Sequence, residues 1–187
     1  MRLWQAGPAL AFLCTALPAP GAEPTSLIGE RRARTEWAKA ENRKSCAPVA
    51  LAASGDPEGT PRAAAFGGGW AVAFDLPGLR SAYGFAGTGL LPGDGDGGQA
   101  DAQVQRRRLA SQWPYFRELS HLPTPSFAGY GQEGAEAYPA DNPAGAGLHS
   151  LAYLRIGGQR CTYNVWSRIS RAHLEWMLDN LRLLRRR

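Results

Sequence analysis

Alternating large apolar side chains predict most of the strands in this chain. In residues 70–74 the large side chains fall at every second position, and Tyr83 and Phe85 repeat the pattern after a turn at residues 76–79. This period is typical of a strand with one buried face, so we predict a β-hairpin or meander here. Residues 47–52 form a short apolar run that indicates a further strand.

A second hairpin is predicted near the end of the chain. Residues 148–156 and 159–166 alternate well, and Gly157 and Gly158 lie between them. Glycine tolerates the positive φ of a two-residue hairpin turn. The turn at these glycines predicts a register in which Tyr153 faces Thr162.

Helical periodicity follows this hairpin. Ser170 is predicted to cap a helix over residues 171–184. Its apolar stripe consists of Leu174, Met177, Leu178, Leu181 and Leu184. A second helix is expected over residues 101–113, with Val104, Leu109 and Trp113 as its apolar positions. Residues 122–147, rich in Pro and Gly, are predicted to form a long irregular loop.

These elements indicate an α+β fold: an antiparallel sheet with a C-terminal amphipathic helix and one further helix packed against it. We expect a single domain over residues 46–187. Residues 23–45 are strongly charged, with Trp37 as their one large apolar anchor. They are predicted to form either a helix or a poorly ordered arm.

Residues 1–22 have the layout of a secretory signal peptide. Arg2 precedes an apolar run, and small residues and prolines follow,. An N-terminal anchor helix is the alternative, although the run is too short to span about 30 Å of hydrocarbon. No later segment has the length and apolarity of a transmembrane helix. We therefore expect a soluble periplasmic or secreted protein.

Export changes the expected chemistry of the cysteines. Removing Cys14 with the signal leaves Cys46 and Cys161, which we predict to form a disulfide in an oxidising compartment,. A catalytic thiol is the alternative. Cys161 and His149 are the best nucleophile–base combination, but the predicted register places His149 near Trp166 rather than Cys161.

The formal net charge is +5, which favours an anionic partner without identifying one,. Residues 106–108 and 185–187 are runs of arginine. They could contact phosphate or an anionic polymer of the envelope, or form a solvated helix face and a frayed tail. Export and the absence of a known binding motif argue against nucleic acid.

The acidic stretch Gly-Asp-Gly-Asp-Gly-Gly-Gln-Ala-Asp at residues 93–101 resembles the start of a calcium loop. Counting from Asp94, however, Gly98 occupies position 5, Gln99 position 6 and Gln105 position 12. Half of the ligand set is therefore missing, including the bidentate glutamate. The histidines at 121, 149 and 173 are dispersed. We predict no metal, no cofactor and no assigned catalytic residue.

Four aromatic side chains are the candidate ligand-binding residues: Trp113, Phe127, Tyr130 and Tyr138. They could line a groove for a peptide or glycan, with the long loop as its rim. Such residues also commonly pin a loop to the core.

Residues 66–89 and 161–183 resemble segments of small exported bacterial proteins of uncharacterised function. This resemblance implies export but supplies no catalytic residues. The expected function is therefore that of a non-catalytic envelope binding or accessory protein. An exported hydrolase with an active site assembled from scattered residues is the alternative. An interaction module that docks through its basic helix is a third hypothesis.

Overall fold

The computed structural model describes residues 26–64, 69–88, 102–131 and 151–186. The described helices are α1 (Glu30–Lys39), a 3₁₀ helix (Glu41–Lys44), α2 (Ala102–Gln112) and α3 (Arg171–Asn180). The described strands are β1 (Val49–Leu51), β2 (Thr60–Ala64), β3 (Trp70–Leu76), β4 (Leu79–Gly87), β5 (Tyr115–Glu118), β6 (Phe127–Tyr130), β7 (Leu151–Arg155), β8 (Tyr163–Ser167) and β9 (Leu181–Leu183).

The main sheet has seven strands in the order β2-β3-β4-β8-β7-β6-β5. All of its neighbouring strands run antiparallel. Strands β1 and β9 form a separate two-stranded antiparallel sheet. Together with the helices this confirms the predicted α+β fold.

Helices cover both faces of the main sheet. The inner face, which carries Val72, Phe74 and Phe85, packs against α1 and α3. Gly29, at φ 76°, precedes α1, and a Cβ there would lie 3.1 Å from the Phe74 ring. Helix α2 packs on the outer face, where a Cβ on Gly129 would meet Trp113 at 2.7 Å.

Residues 23–45, predicted to form a helix or an arm, contain α1 and the 3₁₀ helix. Ala33 of α1 has no exposed surface, and Trp37 packs against the core. The Trp37 indole Nε1 donates to the Cys46 carbonyl over 2.6 Å. Helix α1 is therefore packed into the fold. No helix in the described part of the chain is long and apolar enough to cross a bilayer.

Two strands lie where none was predicted. Strand β6 falls inside residues 122–147, so the prediction of a continuous irregular loop is wrong there. Strand β5, which precedes it, pairs with β6. The sequence of β6 is Phe-Ala-Gly-Tyr, and its two small residues hide the alternation that identifies a strand,. Its pairing with β5 and β7 makes it a strand.

The last helix ends earlier than predicted, at Asn180 rather than residue 184. Leu181 adopts an extended backbone, with φ −67° and ψ 135°, and begins β9. Leu181 and Leu184 are buried as predicted, but neither belongs to the helix. The spacing of the leucines does not distinguish a continuing helix from a strand, because Leu-Arg-Leu-Leu fits the apolar stripe of a helix and the alternation of a strand.

The loop of the second hairpin is longer than predicted. Tyr153 faces Asn164 and Leu154 faces Tyr163, so the predicted register is wrong by two residues. The turn contains Gly157 and Gly158, but residues 156–162 lie outside the strand pairing. This segment instead bonds elsewhere, since the Gly157 amide donates to the Pro123 carbonyl and the Arg160 amide to the Ser45 carbonyl.

Candidate functional site

The predicted aromatic residues do not form one group. Phe127 and Tyr130 lie on β6, both buried, but their side chains point to opposite faces of the sheet. Phe127 packs against Phe116 on the outer face, where Trp113 contacts Tyr153. Tyr138 lies outside the described residues.

Tyr130 occupies the inner face beside α3. Its hydroxyl donates to the Glu175 carboxylate over 3.0 Å, and its ring stacks on Tyr115. Burial, together with the hydrogen bond to Glu175, raises the pKa of Tyr130 to about 12. The Arg171 guanidinium lies 4.7 Å from the centre of the Tyr115 ring. These contacts fix α3 to the sheet, and Tyr130 is separated from Trp113 and Phe127 by the sheet itself.

His173 forms a buried polar cluster that sequence reasoning missed. Its Nδ1 lies 3.0 Å from the Ser167 hydroxyl, and its ring contacts those of Tyr83 and Trp176. The Ser167 hydroxyl also accepts from the Ile169 amide. His173 Nε2 has no hydrogen-bond partner among the described residues. The available signal was helical spacing, because residue 173 precedes the buried Leu174 and lies four before Met177.

Burial determines the chemistry of this cluster. Burial lowers the pKa of His173 to about 4, although nearby Asp56 opposes the shift. The imidazole is therefore neutral at pH 7, the state in which it can accept a proton as a general base. Ser167, however, has no exposed surface, and Gly55 closes over His173 Nε2, with 3.2 Å from that nitrogen to a Cβ built on Gly55. A nucleophile in this position is closed to a substrate.

The remaining candidates for metal or acid–base chemistry give no assembled site. His149, Asp94, Asp96 and Asp101 lie outside the described residues. Among the residues that are described, no three His, Cys, Asp or Glu side chains lie close enough to hold a metal ion. His121 is exposed, and its pKa is lowered by partial burial and by Arg182.

The carboxylate of Asp75, near the end of β3, is hydrogen-bonded to residues of both neighbouring strands, β2 and β4. It accepts from the Ser81 amide over 2.6 Å and from Arg62 Nε over 2.7 Å. The Ser81 hydrogen bond is the main cause that lowers the pKa of Asp75, and Arg62 adds to it. Ser81 has φ 53°, a backbone conformation that residues other than glycine rarely adopt, and these hydrogen bonds hold it in place,. The cluster is thus satisfied within the protein.

The predicted disulfide is present and lies beneath a concentration of positive charge. Cys46 and Cys161 are bonded, with 5.4 Å between their Cα atoms. We define the basic strip as the exposed cations around this bond and along α1 that make no ion pair within 4.0 Å among the described residues. Its members are Arg31, Arg43, Lys44, Arg160, Arg185 and Arg186.

Three distant chain segments are joined to make the basic strip. The Arg160 amide donates to the Ser45 carbonyl over 2.9 Å, which fixes the turn beside the 3₁₀ helix. Strand β9 pairs with β1, and the Leu184 amide donates to the Pro48 carbonyl. The residues after β9 therefore run beside those that precede β1, and Arg185 and Arg186 are brought next to Lys44.

Side-chain hydrogen bonds complete the connection. Arg186 Nη1 donates to the Lys44 carbonyl over 2.8 Å, and its Nη2 donates to Gln159 Oε1 over 2.9 Å. Gln159 Oε1 also accepts from the Ala47 amide. On α1, Arg34 Nη1 donates to the Arg185 carbonyl and links the helix to the C-terminal segment. A cavity of about 610 Å³ lies beside α1, and Arg31 and Arg34 contribute to its wall.

The charges of the strip are not neutralised by the described part of the protein. Of the other cations of α1, Arg34 pairs with Glu30, and Arg32 and Lys39 both pair with Glu36. None of the six strip cations has a carboxylate within 4.0 Å among the described residues. Exposed cations that a fold gathers together without counter-charges create a field that attracts anions.

The other predicted arginine run behaves differently. Arg106 Nε lies 2.6 Å from a Glu118 oxygen, and its guanidinium lies over the Phe116 ring. Arg107 is exposed on α2, whereas Arg108 is only partly exposed. Of the two runs, the C-terminal one contributes to the larger group of free cations.

We compared the chain with family models, curated proteins and solved structures, and none of the three comparisons gives a match.

Proposed function

We propose that this protein is an exported, non-catalytic envelope binding or accessory protein that holds an anionic component through the basic strip. Export follows from the signal-like residues 1–22, so the mature protein is periplasmic or secreted. The Cys46–Cys161 disulfide supports this location, because such bonds persist in oxidising compartments,.

The basic strip is the observation that carries the binding role. Lys44, Arg160 and Arg185 come from different parts of the chain, yet hydrogen bonds and the disulfide hold their segments side by side. Repulsion among gathered cations opposes folding, so an arrangement that keeps them together without carboxylates favours an external counter-charge.

The hydrolase alternative has less support. The contact between Ser167 and His173 resembles a nucleophile–base pair, but both side chains are buried and the loop at Gly55 lies over the ring. A catalytic serine must reach its substrate. The described residues thus favour binding over hydrolysis.

Affinity capture from an envelope fraction tests the proposal. The mature protein would be compared with Lys44→Gln/Arg160→Gln, because both side chains are exposed and neither makes a hydrogen bond or ion pair with another described residue. We expect the double variant to recover at least about tenfold less of the retained component, at roughly 1 kcal/mol for each cation near an anionic surface.

A matched control removes the same charge elsewhere. Arg80 and Arg107 are exposed and lie outside the strip. Arg80→Gln/Arg107→Gln should therefore capture the component as well as the native protein does. Equal capture by the strip variant and the native protein would reject the basic strip as the binding surface.

A further inference from the structure

On the basis of the binding role proposed above, we propose that the part of the basic strip around the disulfide binds the phosphate groups of a linear phosphate polymer. The residues concerned are Arg43, Lys44, Arg160 and Arg186. They surround Ser45 and Gln159 at the point where three segments of the chain meet.

The free donors of this cluster fit phosphate. A guanidinium has five N–H donors in a planar fork that matches the oxygens of phosphate. Arg186 uses two of its nitrogens on the Lys44 carbonyl and Gln159, and these bonds orient the group while leaving further donors available. Arg160 is exposed, and no described residue accepts a hydrogen bond from its guanidinium.

The separate origins of the cations favour a ligand that carries several charges. They come from three chain segments that meet beside the disulfide, at residues 43–44, 160 and 186. A chain with a negative charge on every repeat can therefore contact several of them at once.

The surroundings of the cluster argue against a lipid surface. Val49, Leu181 and Leu184 lie beside it, but all three are buried. Among the described residues the exposed large apolar side chain is Val104, which belongs to α2 on the outer face of the sheet. The cluster offers no apolar group that could enter a bilayer, so binding depends on charge and hydrogen bonding.

The same surroundings argue against nucleic acid. Proteins that bind single strands stack bases on exposed aromatic rings. Among the described residues, Trp37 and Tyr163 are the aromatic residues bonded beside the cluster: Trp37 Nε1 donates to the carbonyls of Cys46 and Arg43, and the Tyr163 hydroxyl donates to the Ala47 carbonyl. Trp37 is partly buried against the core and Tyr163 is fully buried, so neither is an exposed ring.

Calorimetric titration of the mature, oxidised protein tests this proposal. The probes are sodium polyphosphate of defined length, polyglutamate of equal charge, an oligothymidylate with the same number of phosphates, and phosphatidylglycerol vesicles. We expect polyphosphate to bind at least about tenfold more tightly than polyglutamate, since bidentate bonding to phosphate adds to charge. Lys44→Gln/Arg160→Gln should lower the affinity for polyphosphate about tenfold or more, whereas Arg80→Gln/Arg107→Gln should not.

The remaining outcomes overturn the proposal. Equal affinity for polyglutamate would mean that charge alone is recognised, and tighter binding of the oligothymidylate would mean that bases contribute. Binding of vesicles without polyphosphate would identify a membrane surface, and absence of binding to any probe would also reject the phosphate polymer. If envelope capture still depends on Lys44 and Arg160 in these cases, the binding role stands and only the choice of phosphate polymer fails.

Discussion

At the scale of single residues, burial rather than neighbouring charge decides the protonation of His173. The ring lies between Tyr83 and Trp176, and its Nδ1 meets the Ser167 hydroxyl. Asp56 is the acidic group that favours the charged form, but burial outweighs it and lowers the pKa to about 4. The folded protein thus keeps the imidazole neutral at a pH where the unfolded chain binds a proton.

This difference predicts a loss of stability in mild acid. The unfolded chain, with an ordinary histidine pKa of 6.5, binds more protons than the folded protein until the pH falls below about 4,. The free energy of unfolding should therefore fall as the pH is lowered from 7 to 4 and lose this dependence below 4. His173→Gln removes the titrating group. We expect its melting temperature to be lower than native at pH 7, by a few degrees, with the gap narrowing towards pH 4.

His121→Gln is the matched control for this experiment. His121 is exposed and its pKa is lowered less than that of His173, so its removal should leave most of the acid dependence in place. The Asp75 carboxyl has a lowered pKa and titrates below 3.8, outside the range from 7 to 4. A gap between native protein and His173→Gln that stays constant with pH would show that His173 does not titrate as its burial requires.

Single-residue predictions from the sequence succeeded where a local rule was sufficient. Ser170 caps α3, and its hydroxyl accepts from the His173 amide over 3.1 Å. The pairing of Cys46 with Cys161 followed from elimination once Cys14 was assigned to the signal. Val104, expected as an apolar contact of its helix, is 49% exposed. The position of a residue in a stripe does not specify which neighbours cover it.

At the scale of elements, the end of α3 shows where local pattern stops being decisive. Asn180 Nδ2 donates to the Trp176 carbonyl over 2.9 Å at the last turn. Beyond it Leu181 faces Leu51, and Leu183 faces Val49. Because the leucine spacing allows a helix or a strand, the requirement of β1 for a partner decides the outcome, and that requirement comes from residues far away in the sequence.

Two truncated chains test the role of β9. A chain that ends at Leu184 keeps the pairing with β1 and should melt within a few degrees of the full chain, because the described residues that it lacks, Arg185 and Arg186, are exposed. A chain that ends at Asn180 also loses the burial of Leu181 and Leu184, at roughly 1.5–3 kcal/mol each,. Its melting temperature should fall by about 10 °C or more, as measured by circular dichroism. Equal melting of the two truncated chains would contradict the role of β9 in the core.

Strands and helices with strong alternation or clear caps were predicted well, including β3, β4, β7 and β8. Strand β3 nevertheless differs in one respect, because Ala71 and Ala73 are buried as well as Val72 and Phe74. The alternation of large side chains identified the inner face of β3. The alanines on its outer face are too small for the sequence pattern to indicate that they are buried as well. Weak strands such as β6 depend on their neighbours and could not be found from their own residues.

At the scale of the whole molecule, the basic strip combines residues that are far apart in the sequence. The arginine run at residues 185–187 and the charged segment 23–45 were identified from the sequence, but Arg160 stood alone and the proximity of the three was not predictable. The strip depends on β1–β9 pairing, on the Ser45–Arg160 hydrogen bond and on the disulfide. Its binding should therefore be sensitive to changes that leave the main sheet folded.

The disulfide joins residues 115 positions apart. Loss of such a bond costs about 2–5 kcal/mol, since the reduced unfolded chain gains conformational freedom. We expect Cys46→Ala/Cys161→Ala to melt roughly 5–20 °C below the native protein. Intact-mass measurement of the unreduced native protein should show no alkylatable thiol at either position. Two free thiols would mean that the bond does not form.

Binding gives a second and more specific measurement on the same variant. Without the bond, the turn that carries Arg160 is held beside Lys44 by hydrogen bonds alone, among them the one from the Arg160 amide to Ser45. Repulsion between the cations then acts against a weaker constraint. At a temperature where the double alanine variant is still folded by circular dichroism, its affinity for polyphosphate should fall towards that of Lys44→Gln/Arg160→Gln. Native affinity in the folded variant would show that the hydrogen bonds and β1–β9 pairing suffice to assemble the strip, and that the disulfide contributes to stability alone.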